Sequence, residues 1–289
     1  MYIRDYSWAA GGFYPTDAGK VERMLSEYLT ADPGASFEGK RLRGAIAPHA
    51  GWVYSGPTAG KVFRAMADAT APNLVICFGA VHIHGVGKLT ILSSGEWKTP
   101  LGNIPIDEET ADRIITSMKD DIVESRFPHE EEHSLEVLMP FIKKCFPEVS
   151  VVPVMVPPDA KASSSGRRIA ELLNDRDDVI YIGSTDMTHY GSRFGFAPEG
   201  RGTRAVKWVR DVNDRGLIDL ILDMRADDVV GEAMRNQSAC GAGAIAAVTA
   251  ACKTAGASKG LLLDYTTSYD VRPRDGADTF VGYAGIVFE

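Results

Sequence analysis

The sequence predicts an α/β fold, a three-layer α/β/α sandwich around a central mixed, largely parallel sheet. Three observations predict it. Apolar runs without alternation at 73–79, 150–156 and 179–184 read as strands covered on both faces. Strand-like and helix-like segments alternate from one end of the chain to the other, the order expected of a sheet between helical layers. No Gly/Ser/Pro-rich linker, charge block or internal repeat divides the 289 residues, so they are expected to form a single domain, 1–289.

The elements follow in order. Residues 44–48 (GAIAP) are a first short apolar strand, and 57–66 carry helical periodicity. The buried strand 73–79 is followed by a shorter one at 89–93 and a helix at 108–119. A helix is expected at 134–145, after an acidic first turn, and a strand at 150–156. Residues 157–165 turn into a helix at 166–173, and the strand 179–184 follows. Residues 197–202 are polar and read as a surface loop, 203–224 and 243–254 as helices, and 260–267 and 280–288 as the closing strands.

Composition excludes several classes of function. Hydrophobic residues at 45% and charged residues at 24% are ordinary for a globular chain, and the longest apolar runs are under half of the ~18 residues a spanning helix needs, so no membrane is expected. Thirty-one basic against 39 acidic side chains leave a net charge of −8, with no basic run interleaved with aromatics, so no nucleic acid is expected either. The first residues lack a cationic stretch followed by an apolar core, which argues against export. Cysteines 77, 145, 240 and 252 have no CxxC spacing, so reduced thiols in a cytoplasm are expected.

All six histidines lie between residues 49 and 189, and several follow strands. His49 follows 44–48, His82 and His84 follow 73–79, and Asp186 and His189 follow 179–184, the strand ends that line the ligand crevice of an open α/β sheet. Pro48 stiffens the exit to His49, and Gly51 and Gly56 are expected to supply positive φ for a tight turn. His133 and Glu136, three apart at a helix start, can face one point or form an acidic first turn with a capping histidine. Asp186 can orient an imidazole, act as acid or base, or cap the following turn. Cys240 opens the last long helix, where a thiolate is favoured, and reads as ligand, nucleophile or packing residue. Cys77, Cys145 and Cys252 read as small hydrophobes, and His129 as an exposed loop residue. Trp8, Phe13 and Tyr14 are either exposed or core residues covering the pocket.

These segments, taken in order, carry a resemblance. Gly11-Gly-Phe-Tyr-Pro15, Ala47-Pro-His-Ala-Gly-Trp-Val-Tyr-Ser-Gly56, Gly79-Ala-Val-His82, Thr99-Pro-Leu-Gly102, Glu132-His-Ser-Leu-Glu136, Ser184-Thr-Asp-Met-Thr-His189, Ser238-Ala-Cys-Gly241 and Val281-Gly-Tyr-Ala-Gly285 span nearly the whole chain. Together they resemble the Memo family, whose relatives include the class III extradiol dioxygenases. The resemblance implies the three-layer fold of those enzymes and a metal site of His49, His82 and Cys240, with His133, Asp186 and His189 around it as catalytic groups. Those dioxygenases hold iron with two histidines and a carboxylate. A thiolate in the third place softens the site, so Fe(II) and Cu ions both suit it and Zn is chemically acceptable. This chain also reads Val81-His82-Ile83-His84 where many relatives resemble Ser-His-His.

The resemblance leaves three readings open. One is a metal-dependent, dioxygenase-like oxidoreductase acting on a small substrate. The second is a metal- or cysteine-dependent hydrolase. The third is a non-catalytic adaptor that holds a peptide in the pocket; similar microbial proteins are often encoded beside a radical-SAM protein, which implies a pathway partner.

Overall fold

A computed structural model of the chain describes residues 1–6, 12–273 and 275–289. Trp8 therefore lies outside the described residues. The strands are β1 (Ile3–Arg4), β2 (Gly44–Ala47), β3 (Leu74–Gly79), β4 (Leu89–Ile91), β5 (Glu96–Thr99), β6 (Gly102–Pro105), β7 (Ile122–Glu124), β8 (Ser150–Met155), β9 (Val179–Ser184), β10 (His189–Gly191), β11 (Gly260–Thr267) and β12 (Thr279–Phe288). The α-helices are α1 (Ala18–Tyr28), α2 (Trp52–Ala69), α3 (Glu108–Met118), α4 (Phe127–Glu131), α5 (Met139–Cys145), α6 (Ala162–Leu172), α7 (Thr203–Trp208), α8 (Asp214–Leu222), α9 (Ala226–Asn236), α10 (Ala242–Thr254) and α11 (Ser268–Val271).

At the centre of the large sheet β2, β9, β3 and β8 run parallel. Antiparallel strands flank them, β4 on β8 and β12 on β2, so the sheet is mixed with a parallel middle. Its order is β10-β12-β2-β9-β3-β8-β4-β7, with β11 also on β12, and β1-β5-β6 form a separate small sheet. The layering follows from strand periodicity. Leu74, Ile76 and Phe78 of β3 enter a core shared with α3, α6, α8, α9 and α10, whereas Val75 and Cys77 enter a second core shared with α1, α2 and α5. Both faces are covered, which is why an apolar run without alternation is stable there.

Several elements depart from the sequence expectation. α2 begins at Trp52 rather than Pro57, with Gly51 as its cap and Pro57 inside it. Gly51 has φ −54° and Gly56 lies within the helix, so neither supplies the expected positive φ. Gly56 serves close packing instead, since a Cβ there would sit 2.4 Å from the ring of Tyr28 on α1. The segment 203–224 is broken by a π turn, Val209–Asn213, and 134–145 becomes helical only from Met139. α1 and α9 lie outside the expected elements; each buries only a narrow stripe of small or branched residues, Val21 and Leu25 in α1 and Ala226, Val229 and Ala233 in α9. Cys77 and Cys252 are buried, and burial pushes both thiols up, as packing residues should be. Among the described residues no helix is long and apolar enough to cross a membrane.

Candidate metal centre

β2, β3 and β9 end side by side, with Ala47 opposite Ser184 and Phe78 opposite Gly183. Because the strands are parallel, the residues that follow them leave from one edge of the sheet. His49 and His82 leave from two of these ends. The third imidazole, His133, comes from the segment between α4 and α5, which is pinned over the same edge: Ser134 Oγ donates to Ala80 O at 3.0 Å, and Ser184 Oγ donates to Ser134 O at 2.6 Å. One ring nitrogen from each of His49, His82 and His133 lies within 4.8 Å of the other two, a group that can hold a metal ion. The rings stand 4.8 to 5.3 Å apart, with His49 buried, His133 partly buried and His82 at the exposed rim.

What backs each ring fixes which nitrogen is free. Glu132 Oε1 lies 2.9 Å from His82 Nδ1 and 3.2 Å from His133 Nδ1, and a carboxylate can only accept, so both rings carry the proton on Nδ1 and turn Nε2 toward the cluster. Ser184 Oγ already spends its proton on Ser134 O, so it accepts from His49 Nδ1 at 2.8 Å, with the same result. Glu132 also accepts from the backbone N–H groups of His82, His133 and Ser134. Burial alone would raise its carboxyl, but the two imidazoles and the His82 N–H hold it well below the usual range. Sequence reasoning missed Glu132, reading it as part of an acidic first turn. Its signal was its place beside His133, yet α4 ends at Glu131 and Glu132 is extended, free to turn inward.

Cys240 approaches the cluster from the side of His49, its Sγ 3.3 Å from His49 Nε2. Its position depends on tight backbone pairing: Cys240 N donates to Asp186 O at 3.2 Å, and Gly241 N donates to Thr185 Oγ1 at 3.0 Å. A Cβ on Gly241 would lie 2.5 Å from Ser184 O, so only glycine lets this turn reach the strand end. Burial would raise the thiol, but His49, His189 and His82 outweigh it and leave Cys240 well below the ordinary value. Burial likewise disfavours the charged form of His82, yet Cys240 and Glu132 push it up to about 10. In His133 burial prevails and the pKa falls.

Asp186 and His189 flank this group. Asp186 Oδ1 accepts from His49 N at 2.8 Å and Ala50 N at 3.2 Å, so the carboxylate braces the bend that presents His49. Its other oxygen is 4.0 Å from His189 Nε2. His84 is exposed and outside the imidazole group. His129, expected on a surface loop, is instead fully buried on α4, because Trp97 and the Arg4 network close over it; burial next to Arg4 takes it down to about 3. Glu136 turns away from the imidazoles to Arg4 Nη1 at 2.5 Å, with both side chains fully buried. Phe13 packs on His133 at 4.8 Å, and Tyr14 is buried against Trp52.

The donor set fits a divalent transition-metal ion. Three imidazole lone pairs converge beside a thiolate, with a carboxylate behind two of the rings, and without a cation protons must neutralise that charge.

The chain resembles known proteins along almost its whole length. The model of the family described as "Memo-like protein" matches residues 6–287. A "MEMO1 family protein" of Nitrosopumilus maritimus is 35% identical over 287 residues, covering 96% of this chain and 97% of the relative. Those of Thermococcus onnurineus and Pyrococcus furiosus are each 34% identical, with 98% and 96% of both chains covered respectively.

Proposed function

The chain belongs to the Memo-like protein family, and from that premise we propose that it is a metalloprotein with metal-dependent redox activity on a small substrate. His49, His82 and Cys240 hold the ion, and His133 stands beside it as a neutral imidazole. The observation that carries the reading is the meeting of the His49 and His82 rings, each engaged at Nδ1 from behind, with Cys240 Sγ 3.3 Å from His49 Nε2 and the His133 ring beside them. A bound iron or copper ion would supply an open coordination position and the capacity for electron transfer; zinc would supply Lewis acidity alone.

The chain's own residues do the rest. Glu132 sets the tautomer of His82 and His133 and raises their basicity. His133, with its pKa lowered, is placed to accept a proton at Nε2 and return it. Asp186 keeps the His49 bend in register, and His189 offers a second imidazole on the side of Cys240.

Elemental analysis of protein purified without chelators tests this. Wild type is expected to hold one ion per chain and His49→Ala none; equal metal content in both removes His49 from the ligand set. A second reading, in which Cys240 is a nucleophile and His49 its base, is favoured by the same 3.3 Å contact. Iodoacetamide separates the two, because a metal-bound sulfur reacts slowly until a chelator is added and a free thiolate reacts at once. A metal-free protein that binds a peptide tightly would favour the adaptor reading instead.

A further inference from the structure

Beside Cys240 lies a cavity of about 310 Å³ between the start of β10 and the turn joining α9 to α10. Met187, Phe194, Met234 and Ala239 form its apolar walls, and His189 and Cys240 bring the edge of the metal centre into them. Met234 is 60% exposed and Phe194 38%, so they stand at the mouth, whereas Met187 is buried. One turn builds both the wall and the centre. Gln237 ends α9 in the left-handed conformation at φ 48°, the chain folds back to bridge Ala239 to Met187, and Cys240 follows.

Among the described residues that line it there is no lysine, arginine, aspartate or glutamate. A charged ligand entering here would lose its water without gaining an ionic partner from the walls. Thioether and ring surfaces suit an apolar body. Besides Cys240, the polar side chains of the lining are Gln237 and His189, and His189, on the side of the metal centre, is the one placed to meet a head group at the inner end.

We infer that this cavity binds the body of the substrate, and that the substrate is a small uncharged molecule with an apolar body and one polar head that reaches His189. The head group's role rests on the metal centre proposed above; the body's binding rests on the cavity alone.

Fluorine NMR titrations with 4-fluorobenzyl alcohol, 4-fluorobenzoate and 4-fluorobenzylammonium test the inference, with metal content measured on the same samples before and after chelation. The neutral alcohol is expected to bind about tenfold more tightly than either ion. Met234→Lys, at an exposed mouth position, is expected to weaken the alcohol and strengthen the benzoate, and Phe194→Ala to weaken the alcohol. Equal binding of the alcohol and an ion by wild type, or no change with Met234→Lys, overturns the inference. Discrimination that survives chelation supports the cavity whatever becomes of the metal reading. Stoichiometric metal without discrimination retires the cavity and leaves the metal reading standing.

Discussion

His82 and His129 are both held by the segment around Glu132, and they have opposite fates. Burial disfavours the charged form of His82, but Cys240 beside it and Glu132 behind it, with Oε1 at 2.9 Å, push its pKa up to about 10. His129 is fully buried close to the Arg4 guanidinium, and burial takes it down to about 3. One imidazole stands in the cluster that can hold an ion, and the other is a neutral group of the core. Burial lowers both rings, and what separates them is the charge they face: a thiolate and a carboxylate for His82, a guanidinium for His129. The two glutamates of the segment divide the work, Glu132 backing the imidazoles and Glu136 neutralising Arg4.

Breaking the structural half of this contrast should have the largest effect. Glu136→Ala leaves Arg4 charged and buried, so stability measured by urea unfolding should fall by about 3 to 5 kcal/mol. A loss under 1 kcal/mol would mean that Arg4 finds water or another acceptor. Glu132→Gln keeps the shape but removes the acceptor charge behind His82 and His133; metal affinity by competition titration should drop about 10- to 100-fold. Unchanged affinity would show that the rings need no carboxylate.

The next effect is one of pH. Since His129 is depressed in the folded state, the unfolded chain binds the extra proton between about 6.5 and about 3, and stability must fall as pH falls through that window. The slope approaches about 1.4 kcal/mol per pH unit for one fully buried group. His129→Phe should flatten it while leaving metal content intact, and an unaltered slope would show that the ring is solvated. In chelated protein His82 acts with the opposite sign, its contribution present below its unfolded value and lost as pH rises through about 10. The smallest effect belongs to His84→Ala. This exposed ring lies outside the imidazole group, so metal content should not change and stability should move by no more than about 0.5 kcal/mol. Loss of the ion would put His84 in the site.

Much of this was legible before the structure. The runs at 73–79, 150–156 and 179–184 are each within one or two residues of β3, β8 and β9, because a strand buried on both faces must be apolar throughout. His49, His82, Asp186, His189 and Cys240 stand out in the sequence because they directly follow strands or precede a helix, which is a local property, and the fold brings them close to one another. Glu132 and the Arg4–Glu136 pair do not stand out, since an acidic residue beside others looks like a solvated turn until its partner is known. His129 misled for the same reason: it follows a proline among charged neighbours, and only Trp97 and Arg4, far away in sequence, bury it.

The sequence by itself determined the layered α/β arrangement and the edge of the sheet at which polar groups would gather, because periodicity and chain order are written in neighbouring residues. Tertiary structure alone decided that His133 joins His49 and His82, that Glu132 stands behind two of them, and that Cys240 comes within 3.3 Å of a ring 191 residues away. Such distances depend on how whole layers dock, and on a glycine at 241 that lets one backbone pass close to another. No local pattern encodes them.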